Sequence, residues 1–176
     1  THQAKLVQVE EALLESSLNP EDGTLLFKII CSVVHHAENE KFGCTLVVDL
    51  NNEIETLAGQ MLEKPLDLRQ ARYLEIAKSL AKVDGAIHIG CDLKLHAFAC
   101  LLDGRTIAGE DRARGARFNS ALRFTAEKKN FLVIVVSSDR PVSIIQEGIE
   151  ISGQCQWNPA STCYIQPQTL CEWIRE

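Results

Sequence analysis

The chain has 176 residues, 45% of them apolar and 24% charged, with a formal net charge of −6. That length is enough for one domain with a full core. The composition excludes a disordered or fibrous chain, and the negative charge argues against general binding to nucleic acid or anionic membrane. The longest apolar runs, Ala97–Leu102 and Phe131–Val136, are far short of the ~20 residues that cross a bilayer, so no membrane segment is expected in this chain.

Residues 4–18 place Leu6, Val9, Leu13 and Leu14 near one face, with Glu10, Glu11 and Glu15 elsewhere, as in an amphipathic helix. Asn19–Gly23 breaks it, and Thr24 is a candidate cap for a second helix carrying Leu25, Leu26, Ile29, Ile30, Val33 and Val34. His35 and His36 end that helix on different faces, which disfavours a shared metal. Cys44–Leu50 is mostly apolar and reads as a central strand, closed by Asn51–Asn52. Residues 53–68 suggest a short strand and an irregular connection. From Arg69 to Lys82 the spacing of Ala71, Leu74, Ala77 and Ala81 predicts a third helix, delivering Asp84.

A hairpin follows, turning at Gly90–Asp92. In its second strand Leu93, Leu95, Ala97, Ala99 and Leu101 alternate with Lys94, His96, Phe98 and Cys100. His88 and His96 lie on its two strands and could be neighbours, and a structural or solvent-facing role is expected for them. Beyond Leu101 the balance turns basic: seven Lys/Arg against four Asp/Glu up to Lys129. Such a segment suits a small anion, or else a solvated helix face. A helix is expected over Asn119–Lys128, then a buried strand at Phe131–Val136, a turn at Ser137–Pro141 and a strand at Val142–Gln146. Helices interspersed with strands and hairpins predict an α/β fold, a mixed sheet flanked by helices.

Seven cysteines without a C-x-x-C pair suggest no disulfide framework or zinc site. Cys31, Cys44, Cys91 and Cys100 read as buried thiols in a reducing compartment. With no signal-peptide pattern, a cytoplasmic location is expected. Cys155, Cys163 and Cys171 recur every eight residues in a tail that also carries Trp157 and Trp173, a pattern that reads as packing across the surface.

Two polar knots carry the chemistry. Asp84-Gly85-Ala86 sets a carboxylate at the mouth of a strand, suited to a divalent cation or an attacking hydroxyl. Gly115-Ala116 opens a helix whose free N–H groups favour phosphate, and Arg117 adds a forked cation. Ser137 ends a buried strand with a hydroxyl suited to the same ligand.

Lys41-Phe42-Gly43-Cys44-Thr45-Leu46-Val47-Val48, Val83-Asp84-Gly85-Ala86-Ile87, Gly115-Ala116-Arg117 and Val133-Ile134-Val135-Val136-Ser137 before Val142-Ser143-Ile144 stand in an order and spacing that resembles the diadenylate cyclase domain family. That family includes the nucleotide-binding domain of the bacterial DNA-integrity scanning protein. The resemblance runs from about Leu26 to Gly148 and implies residues 25–150 as the nucleotide-binding domain. A helical extension (1–24) would precede it and a C-terminal extension (151–176) would pack on it.

It further implies ATP or a related purine nucleotide as ligand, Mg²⁺ or Mn²⁺ as cofactor, and condensation of two ATP into cyclic di-AMP with release of pyrophosphate. Two subunits would meet face to face in a homodimer or higher homo-oligomer, in a bacterial signalling role. By the same resemblance Asp84 serves metal and 3′-hydroxyl, Gly85 and Ala86 line the nucleotide pocket, and Gly115, Ala116, Arg117, Asn119 and Ser137 hold the phosphates. Where the family has Arg-His-Arg this chain has Arg117-Phe118-Asn119, and Ser138 replaces the acidic residue after the strand-end Ser, with Asp139 one place on. Arg114 and Arg123 are both candidates for the missing cation. The alternative is a catalytically inactive sensor that binds a nucleotide or cyclic dinucleotide.

Overall fold

The computed structural model of the chain describes residues 6–108 and 110–152. The cysteine and tryptophan pattern of the tail lies outside them.

Seven strands among the described residues form one mixed sheet. They are β1 (Cys44–Asp49), β2 (Gln60–Asp67), β3 (Ala86–Gly90), β4 (Lys94–Cys100), β5 (Phe131–Val136), β6 (Ser143–Gln146) and β7 (Ile149–Glu150), in the spatial order β2-β4-β3-β1-β5-β6-β7. Among the described residues only β1 and β3 run parallel; the other pairs are antiparallel. Central position explains the apolar character of β1, β3 and β5: every residue of all three is buried.

The sheet separates two hydrophobic clusters, and period-two alternation assigns residues to them. Cys44, Leu46 and Val48 of β1 and Leu132, Ile134 and Val136 of β5 join helices α1 (Val7–Glu15), α2 (Pro20–Glu40) and α3 (Ala71–Leu80). Val47, Phe131, Val133 and Val135 instead meet Phe118, Ala121 and Phe124 of α4 (Ala116–Glu127). Phe124 and Phe131 pack edge to face, with centroids 5.1 Å apart.

Several elements differ from the sequence expectation. Helix α2 begins at Pro20, not Thr24, because Asn19 is its cap: the Asn19 Oδ1 accepts from the Asp22 N–H at 2.9 Å, and proline at the first helical position lacks only an N–H that would go unpaired. Helix α1 buries Val9 and Leu13 but leaves Leu14 exposed. β2 is longer than expected and holds Pro65, which is tolerated on an edge strand, and its pairing shifts between Met61 and Leu66. α4 starts at Ala116, where Gly115-Ala116 was expected to open a helix and three residues before the Asn119–Lys128 span.

The alternation expected along β4 holds only as far as Leu95: the register against β3 shifts between the His88↔Ala97 and Ile89↔Leu95 pairs, and Ala97 packs on the α4 side while Leu93 and Leu95 pack on the other. Ala99 has φ +50°, the β3–β4 register shifts between the Ala86↔Cys100 and His88↔Ala97 pairs, and the facing of the strand changes. Cys100 is therefore buried and Leu101 is 70% exposed, the reverse of a regular strand. Cys44 and Cys100 are buried thiols as expected, whereas Cys31 and Cys91 are half-buried.

His88 and His96 are neighbours, with ring centroids 5.7 Å apart. His88 lies 3.4 Å from Asp49, both fully buried, and His96 lies 2.9 Å from Asp92. Asp49 also accepts from the Asn51 and Glu55 N–H groups. The pair thus ties the loop after β1 to the sheet, a structural task.

Candidate nucleotide site

The site lies where β3, β4, β5 and the start of α4 converge. Asp84 precedes β3, and its side chain is 98% exposed. Gly85 follows with φ +102°, a conformation open to glycine. A Cβ there would stand 2.6 Å from the carbonyl carbon of Ala99, so the bulge in β4 and the glycine fit one another.

Facing this corner is the N-terminus of α4. Gly115 is the cap residue, with φ +89° and no side chain over the helix end. The first-turn N–H groups thus lack a side-chain cap and add partial positive charge at the site. Arg117 reaches back to Asp84, Nη2 to Oδ1 at 3.4 Å, while about half exposed. Gly43 makes room for it: a Cβ there would lie 3.0 Å from Arg117 Nη1. The Arg117 charge also reaches Cys44, but burial dominates there and pushes the thiol up to about 12.

Two adjoining cavities share Asp84, Ala116 and Arg117. One, of about 220 Å³, is lined by Gly85, Ala86, Leu101 and Leu102, with Thr45 and Ser120 as its polar groups. The other, of about 350 Å³, is lined by Gly115, Phe118, Ser137 and three arginines, Arg114, Arg117 and Arg140. The first suits an apolar planar group and the second a polyanion.

Asp84, Gly85, Ala86, Gly115, Ala116, Arg117 and Ser137 are thereby brought together. Asn119 is not: it is 7% exposed and its amide donates to the Asp111 carbonyl at 3.0 Å, so it holds the preceding loop and lines neither cavity. Of the two candidate cations, Arg123 is bound by both carboxylate oxygens of Glu110 and lies outside both cavities. Arg114 lines the larger one. Arg140 carried no signal in the sequence, since an arginine in a surface turn is ordinary. Ser137 donates to Asp139 at 2.6 Å, and that hydroxyl holds the Asp139 carboxyl below its usual range.

The chain is thus an α/β domain whose mixed sheet carries a two-chambered pocket, anionic at one corner and cationic around a helix end. Residues 32–149 match the family model for the DisA bacterial checkpoint controller nucleotide-binding domain, DAC, and the chain belongs to that family. Among solved structures, a double mutant of DacA from Staphylococcus aureus superposes with a TM-score of 0.58 at 18% identity, over 74% of this chain and 87% of that one. A hypothetical membrane spanning protein from Bacillus cereus gives 0.57 at 24% identity, over 70% of this chain and 60% of that one. The chain thus matches less than two thirds of the Bacillus protein's length. These likenesses establish the diadenylate cyclase-like fold. A comparison with curated proteins gave no significant match. Among the described residues, no helix is long and apolar enough to cross a membrane.

Proposed function

We propose that the chain is a diadenylate cyclase-type domain that binds ATP with Mg²⁺ or Mn²⁺ and condenses two ATP into cyclic di-AMP. The observation that carries this reading is the junction of the two cavities at Asp84 and Arg117. The nucleoside lies in the smaller cavity against Gly85 and Ala86, and the triphosphate lies in the larger one against Gly115, Ala116, Arg117 and Ser137. The α-phosphate then falls at the shared corner. Asn119 acts from behind, fixing the loop that leads into α4.

Among the described residues no three His, Cys, Asp or Glu side chains form a metal cluster. A lone exposed carboxylate fits Mg²⁺ or Mn²⁺ held chiefly by phosphates and water, with Asp84 as the protein ligand. When bound, the cation supplies charge neutralisation at the phosphates. Asp84 orients the ribose 3′-hydroxyl, Arg117 neutralises phosphate charge, and the α4 N–H groups hold the triphosphate in place. Each 3′-hydroxyl gives up its proton to water at the exposed Asp84 as its oxygen bonds to the α-phosphorus of the opposite ATP, the bond from that phosphorus to the pyrophosphate oxygen breaks, and two pyrophosphates leave. Positioning and electrostatics account for such catalysis. Because each ATP needs a second opposite it, the active form is a face-to-face homodimer.

Incubation with ATP and Mg²⁺ or Mn²⁺ should yield cyclic di-AMP and pyrophosphate in a 1:2 ratio, and Asp84→Asn should abolish both. The inward turn of Asn119 and the presence of Phe118 favour a second reading, a sensor that binds without turnover. Measurable nucleotide binding by the unmodified chain with no product would establish the sensor and dismiss the cyclase.

A further inference from the structure

Phe118 stands where the family has histidine, and it does not leave a hole in the site. Its ring is almost fully buried, and the Arg114 guanidinium carbon sits 4.0 Å from its centroid. That is cation–π stacking distance. Arg114 Nη2 also donates to Glu150 at 2.7 Å and to Ser143 at 3.2 Å. Both bonds use one nitrogen, so the Nε and Nη1 donors have no protein partner among the described residues. Partial burial works against ionisation of Glu150, but the hydrogen bonds from Arg114 and its neighbours prevail and its pKa is lowered. Glu150 therefore stays charged and continues to hold Arg114.

Arg140, an exposed residue of the turn after β5, stands on the same cavity. Neither Arg114 nor Arg140 touches the smaller cavity, whereas Arg117 lines both.

We propose that Arg114, shelved on Phe118 and steered by Ser143 and Glu150, joins Arg140 in gripping the outer phosphates of a nucleoside triphosphate, so that these two residues set the preference for triphosphate over monophosphate. The inference rests on the nucleotide-binding reading above. Arg114 and Arg140 contact the ligand, and Phe118 is a positioning residue. A forked guanidinium held flat by a ring presents its free edge with little conformational freedom left to lose, which favours a bidentate phosphate contact. The phosphate half of the site is thereby rebuilt from residues outside the family's Arg-His-Arg segment.

The test is calorimetric titration of the full chain with ATP and, separately, AMP. Arg114→Ala and Arg140→Ala should each weaken ATP binding by about ten-fold or more, charged hydrogen bonds being lost. Neither should change AMP affinity beyond about three-fold. Arg117→Ala should weaken both ligands. Phe118→Leu, which fills the apolar site without a π face, should lower ATP affinity by about three- to ten-fold while sparing AMP. Phe118→Tyr should restore it, a response that a purely structural role for the ring would not give. Should Arg114→Ala fail to fold once Glu150 is left unpaired, Arg140→Ala and Phe118→Leu carry the test.

ATP binding that survives in Arg140→Ala and Phe118→Leu overturns the proposal alone, as does equal loss of ATP and AMP. A parent chain that binds AMP but no more tightly ATP also overturns it alone. A parent chain that binds neither removes the nucleotide-binding reading with it.

Discussion

Gly85→Ala adds a single methyl group beside Asp84, and the structure sets its cost. The backbone there has φ +102°, which a non-glycine residue adopts only under strain, about 1–3 kcal/mol. The new Cβ would also stand 2.6 Å from the Ala99 carbonyl carbon and 2.7 Å from its Cα. These are backbone atoms of a paired strand, so relief requires β4 to move, a further 1–3 kcal/mol or so. The sum is roughly 3 kcal/mol or more.

For a chain of this length, about 2–4 °C is lost per kcal/mol, so the midpoint of thermal unfolding should fall by about 6–12 °C. Two further glycines separate the contributions. Gly115→Ala has φ +89° and ψ 166°, a region open to glycine, with free space around its Cβ, so strain alone should act, about 1–3 kcal/mol. Gly23→Ala lies in α2 with nothing within 4 Å, and should stabilise by roughly 0.5–1 kcal/mol. Urea unfolding of the three variants beside the parent measures the order. A Gly85→Ala variant within about 1 kcal/mol of the parent, or no more destabilised than Gly115→Ala, would refute the claim that the β4 bulge and Gly85 are packed against each other. Because Asp84 adjoins this contact, nucleotide affinity should fall in Gly85→Ala even where the fold survives.

Three other outcomes follow from packing and charge. Asn19→Ala removes the α2 cap and should cost about 1 kcal/mol in urea unfolding, with Asn19→Ser restoring most of it. Phe131→Ala empties a fully buried site beside Phe124 and should cost about 3–5 kcal/mol, read by thermal unfolding. Burial alone would raise the pKa of Asp49, but hydrogen bonds from His88, Asn51 and Glu55 outweigh it and the carboxyl is held below its usual value. With the folded pKa depressed, the stabilisation is present above the unfolded carboxyl pKa, about 3.9, and is lost as pH falls through the lower folded value. Asp49→Asn should therefore lower stability at pH 7 and flatten its decline below about pH 4, and an unchanged acid-unfolding profile would contradict this.

Local signals were enough for most elements. The mostly apolar run of β1 and the all-apolar run of β5 could only be satisfied in the middle of a sheet, and the four family motifs marked the domain because their order is fixed along the chain. Asp84, Gly85, Ala86, Gly115, Ala116, Arg117 and Ser137 were legible because each carries a local reason: a turn, a helix start or a strand end. Folding brings these seven together.

The rest depended on contacts between distant residues. Whether Arg114 or Arg123 was free for a ligand was decided by Glu110, thirteen residues before Arg123. The seat of Arg114 was decided by Phe118 and by Glu150, thirty-six residues on. Asn119 looked like a phosphate ligand from its place in the motif, yet its helical position points it inward to Asp111. Arg140 enters the site only because the turn after β5 overhangs the α4 N-terminus. Even the facing of Cys100 and Leu101 required the register of β4 against β3, since a bulge inverts alternation without altering the sequence pattern before it. Sequence alone determined which segments form helices, strands and turns, because those choices depend chiefly on neighbours along the chain. Tertiary structure decided which charges remain free to meet a ligand, because an ion pair is settled by proximity in space.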